Sequence, residues 1–255
     1  MRFKISLRPE KARFKLPYNY NYPLASAIYS FLDKGDSSFS DFLHDEGFCH
    51  DGKAFKLFTF SPLFSSQRKA LKDGLLIEGR LDWFISSPKE EFVTTLAQGI
   101  LQQGFLPLLN QRLIVEQVDV LKRPSFEPRM SFRTLSPIVI STGETNNNGN
   151  FHKRYLSPEE PEFSRILEEN LRRKYRACYG KEPSEQGISL ELLRTPQSKL
   201  LDYKGIKVRG WFMHFIAQGN TELIELGYES GFGENNSAGF GMVGIQRYQN
   251  GRAKL

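Results

Sequence analysis

The stretch GYESGFGENNSAGFGMVG, residues 227–244, packs six of the chain's 21 glycines into eighteen positions. It contains one literal GxGxxG, at Gly239, Gly241 and Gly244. In a parallel, doubly wound fold that spacing follows a strand and opens a helix. Here a strand-like run, MVGIQRY at 242–248, follows it instead. No βαβ unit fits, so a nicotinamide or flavin site is rejected. The doubled Gly-Phe-Gly, at 231–233 and 239–241, brackets a polar centre of Glu234, Asn235, Asn236, Ser237 and Ala238. Glycine permits positive φ and close approach of a ligand to the backbone. Two such hinges predict a shaped loop with exposed N–H groups, which suit phosphates. A plain glycine-rich turn is the competing reading.

Outward from the loop, strands and helices alternate. Phe3, Ile5 and Leu7 alternate with Arg2, Lys4 and Ser6, which predicts a half-buried strand over 2–7. A basic loop follows, with Arg8, Lys11, Arg13 and Lys15. Leu24, Ala27, Ile28, Phe31 and Leu32 have helical spacing over 22–32, and Pro23 suits a first turn. A short helix is expected over 38–44, a strand over 55–60, and one or two strands over 75–85, broken at Gly79. Phe92, Val93, Leu96, Ile100 and Leu101 form the apolar stripe of a helix over 88–104. A strand over 113–121 completes the order strand, helix, strand, strand, helix, strand. That is the split βαβ, or ferredoxin-like, unit. Its sheet takes helices on one face and leaves the other free, as in RNA-recognition domains.

Residues 124–128 read as a linker, and the pattern then repeats without a sequence repeat. A strand over 130–140 is interrupted by Pro137, and 145–150 reads as a flexible loop. A helix over 158–179 carries Phe163, Ile166, Leu167, Leu171 and Tyr175 as its stripe. Arg172, Arg173, Lys174 and Arg176 crowd its last turns, favouring the helix dipole and adding positive surface. Strands over 188–193 and 206–217, a helix over 220–227 and a strand over 241–248 close the second half. The expected fold class is α+β: two tandem ferredoxin-like, RRM-like βαββαβ domains, residues 1–123 and 129–255. The glycine-rich loop lies between the second helix and last strand of the second domain.

The net charge is +6, with a pI of about 9.2, which suits a polyanionic partner. Cys49 and Cys178 are far apart and form no CxxC, so neither a disulfide framework nor a zinc site is expected. The first residues read as a strand rather than a signal peptide. No apolar run approaches the length of a membrane span. The expectation is a cytoplasmic protein with no membrane partner, metal or cofactor.

Five segments carry a resemblance: MRFKISLRPE, PYNYNYPLASAIYSFL, FLHDEGF followed by KLFTFS, TLSPIVI, and GYESGFGENNSAGFGMV. In order, over essentially the whole chain, they resemble the CRISPR-associated endoribonuclease that cuts repeat transcripts into guide RNAs, of the RAMP superfamily. The resemblance implies tandem ferredoxin-like domains and metal-independent RNA cleavage. It also implies CRISPR repeat RNA as partner, hand-over of product to an interference complex, and a monomer or homodimer.

Metal-free cleavage requires that the 2′-hydroxyl beside the scissile phosphate lose a proton and attack in line. The 5′-oxygen must leave protonated, and the phosphorane charge must be neutralised. The products would be a 2′,3′-cyclic phosphate and a 5′-hydroxyl. In the family these roles fall to a Tyr, His, Lys set, which the resemblance carries onto Tyr29, His44 and Lys56. His44 is the implied general acid or base, Tyr29 its partner at the 2′-hydroxyl, and Lys56 the phosphorane stabiliser. The segment 45–55 looks long and adds His50 and Lys53, which could replace His44 and Lys56. RNA binding falls to the glycine loop, through Gly231, Gly233, Asn235, Ser237, Gly239 and Gly241, and to Lys199, Lys204, Lys207 and Arg209. His152 has no evident partner, and His214, in WFMHFIA, reads as packing. A family member that binds repeat RNA without cutting it, and a ferredoxin-like protein without an RNA ligand, are the alternatives.

Overall fold

The computed structural model describes residues 1–145, 151–249 and 252–254. The first half runs β1 (Arg2–Pro9), β2 (Arg13–Leu16), α1 (Asn21–Gly35), α2 (Ser37–Asp45), β3 (Phe48–His50), β4 (Lys53–Phe55) and β5 (Thr59–Phe60). It continues through β6 (Gln67–Leu71), β7 (Gly74–Glu78), β8 (Leu81–Ser86), α3 (Glu90–Gln103), β9 (Phe105–Leu108) and β10 (Gln111–Leu121). The main sheet has the order β5-β8-β1-β10-β9, with every pair antiparallel. Without the edge strand β9, the other four lie second, third, first, fourth by chain order, which is the ferredoxin-like arrangement. On β1, Phe3, Ile5 and Leu7 are buried in the helix-covered core with Leu24, Ile28, Phe31, Trp83 and Leu96. The helices α1 and α3 meet backbone to backbone. A Cβ at Gly99 would lie 1.7 Å from the Phe31 carbonyl oxygen, so any side chain there would force them apart.

The second half runs β11 (Arg129–Thr134), β12 (Ser141–Thr145), β13 (Phe151–Tyr155), α4 (Pro161–Tyr179), β14 (Ile188–Leu192), β15 (Gln197–Tyr203) and β16 (Ile206–Phe212). Then come β17 (His214–Gly219), α5 (Thr221–Ser230), a 3-10 turn at Asn236–Ala238 and β18 (Val243–Ile245). Its sheet, β14-β17-β11-β18, repeats the same antiparallel order. Phe163, Leu167 and Leu171 of α4 and Leu223 and Ile224 of α5 bury against Phe132 and Phe215. The chain is therefore α+β with two ferredoxin-like sheets.

Several local expectations change. The run 55–60 is not one strand, because Leu57 has a φ of 51° and ends the extended path between β4 and β5. Leu57 buries in the second half's core while its neighbour Phe58 buries in the first half's, so the backbone turns between two cores. The run 206–217 splits at Met213, because β16 pairs with β15 in a separate hairpin while β17 joins the main sheet. The strand expected over 130–140 stops at Thr134; Leu135 and Ser136 donate instead to the Met242 carbonyl. Leu101, assigned to an apolar stripe, is 79% exposed. The loop expected over 145–150 lies, beyond Thr145, outside the described residues.

The halves are stitched by side chains of the first reaching backbone of the second. Arg2, buried, donates to the carbonyls of Val243 and Tyr228, both at 2.7 Å. Thr59 Oγ1 donates to the Phe240 carbonyl at 2.9 Å, and Asn21 Nδ2 to the Ala238 carbonyl at 3.1 Å. Both of these contacts land on the glycine loop, which thereby sits against α1 and β5.

Candidate functional site

Helix α2 starts at Asp36, whose carboxylate caps the Phe39 N–H, and ends beside α1. That puts His44 in its last turn, edge-on to Tyr29 of α1, with ring centroids 5.5 Å apart and planes at 82°. Tyr29 is half-buried, and burial pushes its phenol up to about 12, so the hydroxyl keeps its proton at neutral pH. The His44 side chain is 71% exposed, and its Nδ1 lies 2.7 Å from Asp45 Oδ1. That contact leaves Nε2 as the nitrogen for a ligand.

Lys56 follows β4 and turns back to the end of α2, where its Nζ donates to the His44 carbonyl at 2.7 Å. A cation at the carbonyl end of a helix is favourably placed. Burial lowers its ammonium below the ordinary value, and the Asp45 carboxylate opposes that shift. Tyr29 and His44 thus share one cleft, while Lys56 reaches the His44 backbone from the adjoining one. His50 sits on the β3–β4 hairpin with Nε2 3.1 Å from Asp51 Oδ2, and does not line the cleft that holds Tyr29 and His44. Lys53 lines an adjoining cleft with Lys56. His214 is half-buried, with Nδ1 3.0 Å from Gln246 Oε1; His152 lies 3.5 Å from Glu144.

Gly231, Gly233, Gly239 and Gly241 all have positive φ and all are buried. A Cβ at Gly241 would stand 2.0 Å from the Phe232 oxygen, and one at Gly233 2.4 Å from the Val139 oxygen. These glycines form the loop's folded base. Its accessible tip is Asn235, exposed and itself at positive φ, and Ser237. Many of the N–H groups expected to point outward are turned inward: those of Phe232, Glu234, Gly239 and Gly241 bond to backbone carbonyls. The first amides of the 3-10 turn have no partner within it.

Lys174, read from the sequence as positive surface, is instead 2% exposed. Its Nζ donates to the carbonyls of Gly231 at 2.8 Å and Gly233 at 2.6 Å, and to Asn236 Oδ1 at 2.6 Å. The ammonium therefore clamps the loop from beneath, with three acceptors for three protons. Burial nonetheless pulls its pKa down to about 7. Asn236 continues the clamp by donating to the Phe240 carbonyl at 3.0 Å. No spacing rule marks Lys174 in the sequence, because its role exists only where α4 meets the loop.

The four cations of the β15–β16 hairpin separate. Strand register puts Lys199 on the face of Leu201 and Tyr203, and Lys207 and Arg209 on the opposite face. Lys207 pairs with Asp202 at 2.9 Å, and Arg209 donates to Ser198 at 2.9 Å. Lys204 occupies the hairpin turn with a φ of 54°. There it lines one cleft with Tyr22, Tyr29, His44, Tyr203 and Ser237. Ser237 also lines the neighbouring cleft that holds Lys53 and Lys56. The loop tip, the hairpin turn and the Tyr–His–Lys group thus surround one surface.

Fold and site together define a class: paired ferredoxin-like sheets with a clamped glycine loop beside a Tyr–His–Lys cluster. The chain belongs to the Cas6 family. Residues 15–119 match "CRISPR-associated protein Cas6, N-terminal", and residues 121–245 match "CRISPR associated protein Cas6, C-terminal". The CRISPR-associated endoribonuclease Cas6 1 of Methanocaldococcus jannaschii is 34% identical over 95% of this chain and 92% of its own. The solved structure of a Cas6-related gene from Pyrococcus furiosus has a TM-score of 0.86 at 27% identity, covering 98% of this chain and 99% of that one. A structure described as a RAMP protein binding different RNA substrates has a TM-score of 0.84 at 27% identity, covering 96% and 99%. No described helix is long and apolar enough to cross a membrane.

Proposed function

We propose that this protein is a cytoplasmic endoribonuclease that binds CRISPR repeat RNA and cuts it without a metal, by attack of the RNA's own 2′-hydroxyl. The observation that carries the reading is the edge-on Tyr29–His44 pair, with Lys56 bonded to the His44 backbone beside it. Residues 1–123 act as the catalytic domain and 129–255 as the RNA-holding domain. His44 transfers the proton. Tyr29, protonated at neutral pH, hydrogen-bonds at the reacting oxygens instead of serving as base. Lys56 stabilises the charge of the phosphorane. Asn235 and Ser237 contact phosphate, with the buried glycines shaping the loop around them. Lys199 and Lys204 contribute positive charge on the catalytic side; Lys207 and Arg209 meet RNA on the hairpin's other face. The named activity of the M. jannaschii relative and the RNA-binding RAMP structure support the reading.

The test is cleavage of repeat RNA in the presence of a chelator. The expected products carry 2′,3′-cyclic phosphate and 5′-hydroxyl ends. A single 2′-deoxy sugar just upstream of the scissile phosphate is expected to block cutting while leaving binding nearly intact. Loss of cleavage on chelation, or cutting of the 2′-deoxy strand, defeats this mechanism.

A further inference from the structure

The segment PYNYNYP, residues 17–23, has a side-chain pattern that the catalytic reading leaves unused. Its three central residues, Asn19, Tyr20 and Asn21, are each held by a hydrogen bond to another element. Tyr20 is 5% exposed, with its hydroxyl accepting the Leu63 N–H at 3.0 Å. Asn19 accepts the Asp202 N–H at 3.2 Å, and Asn21 donates to the glycine loop. These anchors fix the segment against both the β15–β16 hairpin and the loop. They leave Tyr18 and Tyr22 outward, 39% and 44% exposed.

Each outward ring faces a lysine of the hairpin. Lys204 Nζ lies 4.4 Å from the Tyr22 ring centroid, and Lys199 Nζ lies 5.8 Å from that of Tyr18. Tyr203 stands edge-on to Tyr22 at 5.8 Å and 84°. The Tyr18 hydroxyl is tied to the Leu71 carbonyl at 2.7 Å. Tyr22 lines the cleft of Tyr29 and His44, while Tyr18 and Lys199 line the next cleft along the hairpin. Two exposed aromatic rings, each with a cation beside it, therefore lead away from the candidate catalytic group.

We propose that Tyr22 and Tyr18 form a two-station stacking track for single-stranded RNA running out of the cleavage cleft. This rests on the nuclease reading above. A base stacked on an aromatic ring is held more strongly than a lysine over an exposed ring. An arriving base displaces each lysine, and the freed ammonium moves to the adjoining phosphate. Stacking tolerates any base, so the track positions the strand without reading its sequence.

The test uses repeat RNA made uncleavable by a 2′-deoxy sugar at the cut site, with one abasic nucleotide moved along the strand. Wild-type protein is expected to lose affinity, roughly 5- to 100-fold, at two positions near the cut. Tyr22→Ala should lose about as much on intact RNA and become indifferent to the abasic site at the nearer position. Tyr18→Ala should do the same at the farther one. Tyr22→Phe and Tyr18→Phe should keep the wild-type pattern, since the ring is retained. Both tyrosines are exposed, so the variants fold. If every abasic penalty persists unchanged in both alanine variants, the track is refuted. Wild-type cleavage of unmodified RNA, run in parallel, separates that failure from failure of the nuclease reading.

Discussion

Replacing His44 by alanine should separate catalysis from stability. The His44 side chain is 71% exposed, and its contacts are the edge of Tyr29 and the neighbouring Asp45 carboxylate. No core volume is lost, and the hydrogen bond from Lys56 goes to the His44 backbone carbonyl, which alanine retains. A surface change of this kind costs within about 0.5 kcal/mol. For a chain of this size that is a shift in Tm of no more than about 2 °C. Losing a group that moves a proton costs about 10²- to 10⁴-fold in rate. The assay is single-turnover cleavage with saturating enzyme, beside a thermal melt and a binding titration. The expected result is a large fall in rate with a nearly unchanged melt and affinity. A wild-type rate in His44→Ala, with a collapse in His50→Ala, would overturn the assignment and move the chemistry to the β3–β4 hairpin. A fall in rate matched by an equal fall in affinity would make His44 a binding residue.

Gly241→Ala should destabilise the fold by roughly 2–5 kcal/mol, from the strain of a left-handed L-residue and overpacking. Its new Cβ would stand 2.0 Å from the Phe232 oxygen; urea denaturation reads the change, and a loss below about 0.5 kcal/mol would contradict the close contact. Lys174 titrates at about 7 when folded against an ordinary 10.5, so the unfolded chain binds the extra proton between those values. Unfolding free energy of wild type relative to Lys174→Met should therefore rise from pH 7 to 10; a constant difference would mean that the three acceptors hold the ammonium charged throughout. RNA affinity should fall steeply with salt, and Lys204→Ala should flatten the slope by about one unit. Lys207→Ala should change it less, because Lys207 is already paired with Asp202; equal slopes for the two variants would argue against that division.

Periodicity made most of the secondary structure legible. The alternation at Phe3, Ile5 and Leu7 and the helical stripes of α1, α3 and α4 are local consequences of burying one face of each element. The glycine spacing revealed a shaped loop and excluded a βαβ unit, because a strand-like run follows it. Tyr29, His44 and Lys56 came from family resemblance, since no spacing rule joins residues so far apart. What the sequence could not carry was the destination of each side chain. Lys174 follows arginines on a basic helix end and looks like solvated charge, yet α4 packs against the glycine loop and its ammonium is enclosed by three oxygens. Leu57 and Phe58 look like one strand, but they bury in different cores, and Leu57 itself takes a left-handed backbone at the turn. Lys199 and Lys207 look like one basic cluster, but strand register sends them to opposite faces. Local backbone preference depends on neighbours in sequence and is readable there. Which group a side chain finally meets depends on contacts between distant segments, and only their packing decides it.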